Sequence, residues 1–208
     1  MDYDEDLVEK IVGLEWKMFQ KVNTIGGKSS CQEDLKTFEI TRFSQFESWS
    51  TPVLESYLND LRAADKKGFN LISEKYGRMM KSTSPGDYAR IKHLLPPLDD
   101  DVLQLIDKIV RIMLEWKEEA AKKHPSVFLK DRPLYASLDT PTSTSFETYL
   151  RGELSTYSKR TLQLYYEYLL NEKSQNRNLS EIILDSIAKK YGYKSREEAI
   201  TRRETKLP

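Results

Sequence analysis

Apolar residues recur every three or four positions along most of the chain, and strict apolar–polar alternation is nearly absent, so the pattern predicts helices and no sheet. Leu7, Ile11, Leu14, Met18 and Val22 predict a first helix over 4–22. Ser30 and Glu33 have the spacing of a capping box, which predicts a helix over 31–49. On that helix Cys31, Asp34, Leu35, Phe38, Arg42, Gln45, Phe46 and Trp49 share about a third of the circumference, at ~100° per residue. Its four apolar members mark the buried side, which takes Asp34, Arg42 and Gln45 inward with them. Thr37, Thr41, Ser44 and Ser48 form a second stripe of small residues.

Thr51-Pro52 starts the next helix, and Gly68 stops or bends it before Phe69, Ile72, Tyr76 and Met79 continue the period. A short helix starts at Ser84–Asp87, and Asp99 to Asp101 place negative charge at the start of a long one that ends at His124-Pro125. The segment from Pro125 to Ser143 lacks a period and reads as a cover or linker. Helix starts follow at Thr144 with Glu147, at Ser158, at Asn178 with Glu181 and at Ser195 with Glu198; the tail from about residue 200 is expected to fray. These elements make one all-α domain over residues 1–208, a bundle of eight to nine helices around helix 31–49.

Composition narrows the function classes. Lys+Arg and Asp+Glu both number 33, so no net field draws nucleic acid or an anionic membrane. No apolar run reaches the ~20 residues of a membrane span, and MDYDED is acidic where a signal peptide is basic. The expected setting is the cytoplasm. A single cysteine excludes an internal disulfide and a cysteine metal cluster, and two scattered histidines give a zinc or di-iron site nothing to build on. No metal site is expected, although a carboxylate set drawn from Asp34, Asp139 and Glu153 stays open for magnesium. The sequence names no cofactor and no oligomeric state.

Candidate chemistry gathers near the glycine-rich segment. Gly27-Lys28-Ser29 matches the end of a phosphate-binding loop, but Val22 stands where the first glycine belongs and a helix precedes it where a strand is required. What survives is a helix N-terminus with Lys28 beside it, suited to an anion or simply to a capped turn. Cys31, at the first helical position, would be activated by the dipole, yet a small buried cysteine is the commoner explanation and no histidine is nearby. Arg42 is the most informative residue: a guanidinium among aromatic positions needs a carboxylate or an anionic ligand. Glu153, beside Gly152 and one turn after Tyr149, is its expected partner. Either the two form a structural pair, or Arg42 binds an anion while Gln45, Trp49, Tyr149 and Tyr157 surround the ligand. Tyr157, Tyr165, Tyr166 and Tyr168 form a stacking platform or, more ordinarily, a core rim.

The runs GGKSSCQEDLKTFEITRFSQFESW and RPLYASLDTPTSTSFETYLRGELSTYS resemble an uncharacterised bacterial family of small helical proteins, a domain of unknown function. The match is carried by the glycine pair and lysine before S-C-Q-x-D, then T-F and R-x-S-Q-F-x-x-W, and by R-P-L, T-S-x-E-T-Y and R-G-E-L-x-T-Y-S. The resemblance implies a helical fold and a bacterial origin and assigns no activity. The leading expectation is a small polar or anionic molecule bound between helices, with or without catalysis. Its ligand would meet Lys28, Asp34, Arg42, Gln45, Trp49, Arg132, Asp139, Tyr149, Glu153 and Tyr157; Cys31, Tyr149 and Glu153 are the candidates for chemistry. The alternative is a non-enzymatic interaction or regulatory protein in which the Arg42–Glu153 pair is purely structural. A cysteine-dependent enzyme is a third reading.

Overall fold

Side-chain caps set where most helices begin. The computed structural model of the chain describes residues 4–22, 30–125 and 132–204, and among them ten α-helices and no extended strand. Helix α1 (Glu5–Phe19) is capped by Asp4, which accepts from the Leu7 N–H at 3.1 Å. Helices α3 (Thr51–Lys66) and α5 (Pro85–Ile91) begin with proline in the first turn. Gly68, at φ +69°, stops α3, and Asn70 caps a separate α4 (Leu71–Thr83). That break helps carry the helix count past the eight to nine expected. Helix α6 (Asp100–Lys123) starts within the acidic triplet, with Asp99 at its N-cap and Asp100 and Asp101 in its first turn. Ser145, Ser158 and Asn178 then cap α7 (Phe146–Leu154), α8 (Lys159–Ser174) and α9 (Leu179–Lys190). Helix α10 (Arg196–Glu204) covers the first residues of the tail expected to fray, and 205–208 lie outside the described residues.

Two starts differ from the sequence reading by a few residues. Ser30–Gln32 is a 3-10 turn, and α2 (Leu35–Phe46) begins only after Asp34, whose carboxylate accepts from the Thr37 N–H at 2.9 Å. A carboxylate is a good N-cap acceptor and sits favourably at the positive end of the helix. Asp34 and Leu35 are therefore exposed, not buried. Trp49 lies beyond the helix end, buried in the turn before α3. Likewise Ser145 caps α7 in place of Thr144, and Glu147 accepts from the Ala136 N–H and pairs with Arg151.

The packing order explains where the centre is. Helix α2 packs on α1, α1 on α4, α4 on α7, α7 on α6, α6 on α9, and α9 back on α2. Six helices thus close a ring. Helices α3 and α8 pack on each other and on α1 and α6, closing one end with apolar side chains such as Leu54, Leu58, Leu61, Leu162 and Leu169. Of the small-residue stripe, Ser44 on α2 and Ser48 past its end are buried, while Thr37 and Thr41 on α2 are exposed. No described helix is long and apolar enough to cross a membrane.

Helix α4 packs closely against α7 at Gly152, where an added Cβ would lie 2.7 Å from Met79 Cγ and 3.0 Å from the Lys75 carbonyl oxygen. Gly152→Ala is expected to destabilise the fold by about 1–3 kcal/mol through overpacking, read as a lower urea midpoint. An unchanged midpoint would show that α4 yields there.

Candidate functional site

Each ring helix turns one stripe inward, and the stripes surround a cavity of about 460 Å³. Asp34, Thr37, Phe38, Thr41, Arg42 and Gln45 come from α2 and its cap, and Phe146, Tyr149, Leu150, Glu153, Leu154 and Tyr157 from α7 and the turn after it. Both sets follow the i, i+3, i+4, i+7 spacing of one helix face. Helix α1 adds Glu15 and Phe19, α4 adds Ile72, Lys75 and Tyr76, α6 adds Met113 and Lys117, and α9 adds Ser180, Ile183, Leu184 and Ile187.

The Arg42 guanidinium occupies one wall. Its Nε donates to Glu15 Oε2 at 2.6 Å and its Nη2 to Glu15 Oε1 at 2.5 Å, a fork-to-fork pair. Nη2 also donates to Glu153 Oε1 at 3.1 Å, and Nη1 to Gln45 Oε1 at 2.8 Å and Glu153 Oε2 at 3.3 Å. All five N–H groups are engaged. Its flat face lies 4.6 Å from the centre of the Phe46 ring. Arg42 thus meets its Glu153 partner, with its donors engaged inside the network.

Glu153 accepts three further bonds, from Gln45 Nε2 at 3.0 Å, Tyr157 Oη at 2.9 Å and Lys75 Nζ at 2.6 Å. The Tyr57 hydroxyl donates to Glu15 at 2.6 Å. Two buried carboxylates face two buried cations, so the network is neutral. Burial raises the carboxyl proton affinity of Glu153, but Arg42 and Lys75 outweigh it and hold the group well below the carboxylate range. Burial, reinforced by Glu15 for Tyr57 and by Glu153 for Tyr157, pushes both phenols up and keeps them as donors.

Lys75 and Glu15 were missed in the sequence. Both sit on apolar stripes, Lys75 three residues after Ile72 and Glu15 four after Ile11, which is the same signal that singled out Arg42. Lys75 is 4 % exposed and links the network to the cavity. Its ammonium lies 3.8 Å from the centre of the Tyr149 ring, and the Arg132 guanidinium lies 4.6 Å from the same ring. Lys75 pulls the Tyr149 phenol below its ordinary value, against burial.

Of the other expected residues, Asp34, Trp49 and Arg132 also line the cavity. Among the described residues the Trp49 indole N–H, buried, finds no acceptor. Cys31 lines the cavity and is exposed, in the 3-10 turn ahead of α2. Asp139 does not line it: its carboxylate ties the loop to α7 through the Ser145 N–H and Thr148 and to α4 through Ser82. Asp34, Asp139 and Glu153 therefore do not converge, and among the described residues no three His, Cys, Asp or Glu groups are placed to hold a metal ion. Lys28 lies outside the described residues. Tyr157 and Tyr165 are packed on Tyr57 and Trp49 as core.

A family model described as "Protein of unknown function (DUF4125)" matches residues 5–200. No curated protein and no solved structure matches the chain.

Replacing one member of a buried network leaves its partner uncompensated. Glu153→Gln is expected to cost about 3–5 kcal/mol at neutral pH. The folded-state proton affinity of Glu153 is depressed, so its contribution is full above the unfolded-state value near 4.5 and is lost as pH falls through the lower folded-state value. Urea melts across acid pH should show a falling limb in the parent chain and a flatter one in Glu153→Gln. Identical limbs would remove Glu153 from the acid response.

Proposed function

The chain belongs to the DUF4125 family, and we propose that it is a cytoplasmic bacterial protein that binds a small organic anion in the cavity inside its helix ring. The observation that carries this reading is a cavity of about 460 Å³ with an apolar and aromatic lining, into which the Lys75 ammonium is set, held by Glu153 beside the Tyr149 ring. Its volume lies within the range of roughly 300–1,000 Å³ usual for small-molecule sites. Four cations, Arg42, Lys75, Lys117 and Arg132, face three carboxylates, Glu15, Asp34 and Glu153. Asp34 is occupied in capping α2, and the buried network is neutral in itself.

Lys75 and Arg132 take the anionic group of the ligand, in the place first assigned to Arg42. Lys75 offers three N–H donors, and among the described residues its only hydrogen-bond acceptor is Glu153. Phe38, Phe146, Leu150 and Ile183 supply the wall for an apolar body, with Gln45 and Tyr149 to orient it. The full engagement of Arg42 favours the structural reading for that residue alone, and the cavity beside it favours a ligand.

A ligand bound only by the folded chain raises the melting temperature by mass action. In a thermal-shift screen, benzoate and other aromatic carboxylates should stabilise the chain, while amines of the same shape should not. Arg132→Ala should weaken benzoate about tenfold, the loss of one charge-assisted contact. Bound benzoate should also slow alkylation of Cys31 by iodoacetamide. Equal shifts from acids and amines would reject the anion reading.

A further inference from the structure

We propose a second ligand site, a cleft on the far side of the α4–α7 pair from the ring cavity, which takes a phosphate monoester with an apolar body. Arg78 and Arg151 hold its phosphate. The cleft has a volume of about 810 Å³ and lies between α4, α5, α6 and α7. Helices α4 and α7 form a wall of both spaces, with Lys75, Tyr149 and Glu153 on one side and Arg78, Arg151 and Ser155 on the other. Their close approach at Gly152, itself a lining residue, sets the two outer stripes along one cleft.

Both helices carry the same device. Glu74 stands one turn before Arg78, and Glu147 one turn before Arg151, so each glutamate meets the arginine that follows it. Glu74 accepts from Arg78 Nε at 2.7 Å, and Glu147 from Arg151 Nε at 2.9 Å. A second acceptor fixes each fork: the Pro96 carbonyl takes Arg78 Nη2 at 2.8 Å, and Asp107 takes Arg151 Nη1 at 2.6 Å. Arg78 Nη1 and Arg151 Nη2 are left without an acceptor among the described residues, and neither atom is buried. A guanidinium held at two points with N–H groups to spare is set in advance for an oxyanion. Lys81, one turn after Arg78, and Lys92 line the same cleft, are exposed, and have no partner among the described residues.

The carboxylates here are all tied: Glu74, Glu147 and Asp107 to the two arginines, and Asp139, beside the cleft, to Ser82, Ser145 and Thr148. What distinguishes the cleft is therefore its unspent N–H donors, not a net charge. Two guanidinium edges and two ammoniums offer more donors than the two oxygens of a carboxylate engage. A phosphate monoester presents three terminal oxygens and nearly two charges at neutral pH. Tyr88, Leu95, Leu98 and Leu103 line the rest, and Leu103 is 43 % exposed, which leaves apolar surface for the body of the ester. The site does not depend on the ligand proposed for the ring cavity.

The test is calorimetric titration of the full chain with phenyl phosphate. Arg78→Lys and Arg151→Lys keep a charge facing the glutamates but lose the spare edge, and each should weaken binding about tenfold, the loss of one charge-assisted contact. Lys81→Ala with Lys92→Ala, both at exposed positions, should weaken it about threefold and decides the matter if a lysine variant fails to fold. Inorganic phosphate should bind more weakly than the ester, and Arg132→Ala should leave phenyl phosphate unchanged. The proposal is overturned if phenyl phosphate does not bind, if its affinity is the same in every cleft variant, or if benzoate displaces it. Failure of benzoate to bind, with phenyl phosphate still lost in the arginine variants, would remove the ring-cavity ligand and leave the cleft standing.

Discussion

A guanidinium held between two buried carboxylates is the interaction that organises this chain. Moving each of these ions out of water costs several kcal/mol even after relaxation, so the arrangement survives only if nearly every donor and acceptor is matched. It is matched here. Arg42 spends five N–H groups on Glu15, Gln45 and Glu153, and Glu153 collects Lys75 and Tyr157 besides. Helices α1, α2, α4 and α7 meet in that network, and α3 joins it through Tyr57. Helices α2 and α7, which stand on opposite parts of the ring, are joined through it by side chains.

The ring accounts for the mixed faces of its helices. In a filled bundle an inward stripe is apolar throughout, because any polar group there loses water without gaining a partner. A ring of six helices leaves space that side chains do not fill. The inward stripes then carry two kinds of residue: apolar groups that close the ends, and polar groups that answer one another across the gap. Phe38 and Arg42 on α2, or Leu150 and Glu153 on α7, are adjacent examples. Apolar filling sits to one side, where Phe46, Trp49, Tyr57, Tyr157 and Tyr165 stack at ring separations of 4.6–6.1 Å.

Much of this was legible in the sequence, and the failures have local causes. The all-α class follows from periodicity, and the caps Ser158 and Asn178 were read from a hydroxyl or amide ahead of a periodic run. Arg42 and Glu153 stood out because each is the one charge on an apolar face. Glu15 and Lys75 carried the same signal on α1 and α4, but an isolated charge on a long amphipathic helix is also compatible with a side chain that bends out to water. Only the positions of four other helices decide between the two. The cap shifts are subtler. Thr144 and Ser145 are neighbouring hydroxyls, and Ser30 competes with Asp34, so the choice turns on the path of the preceding loop, which periodicity does not encode.

The neutrality of the network bears on what the cavity can do. A lone buried lysine would shed its proton or swing toward solvent, and a lone arginine would capture any passing anion. Glu153 fixes the Lys75 ammonium in place at 2.6 Å, and Arg42 in turn keeps Glu153 ionised. The cation over the Tyr149 ring is therefore held by charges that cancel among themselves, leaving its position, not its net field, as what the network supplies. Groups placed in advance of a ligand cost little reorganisation when charge develops beside them. Arg42 thus matters to the cavity for what it immobilises, and Lys75, Tyr149 and Arg132, the residues proposed to meet a ligand, stand one step outward.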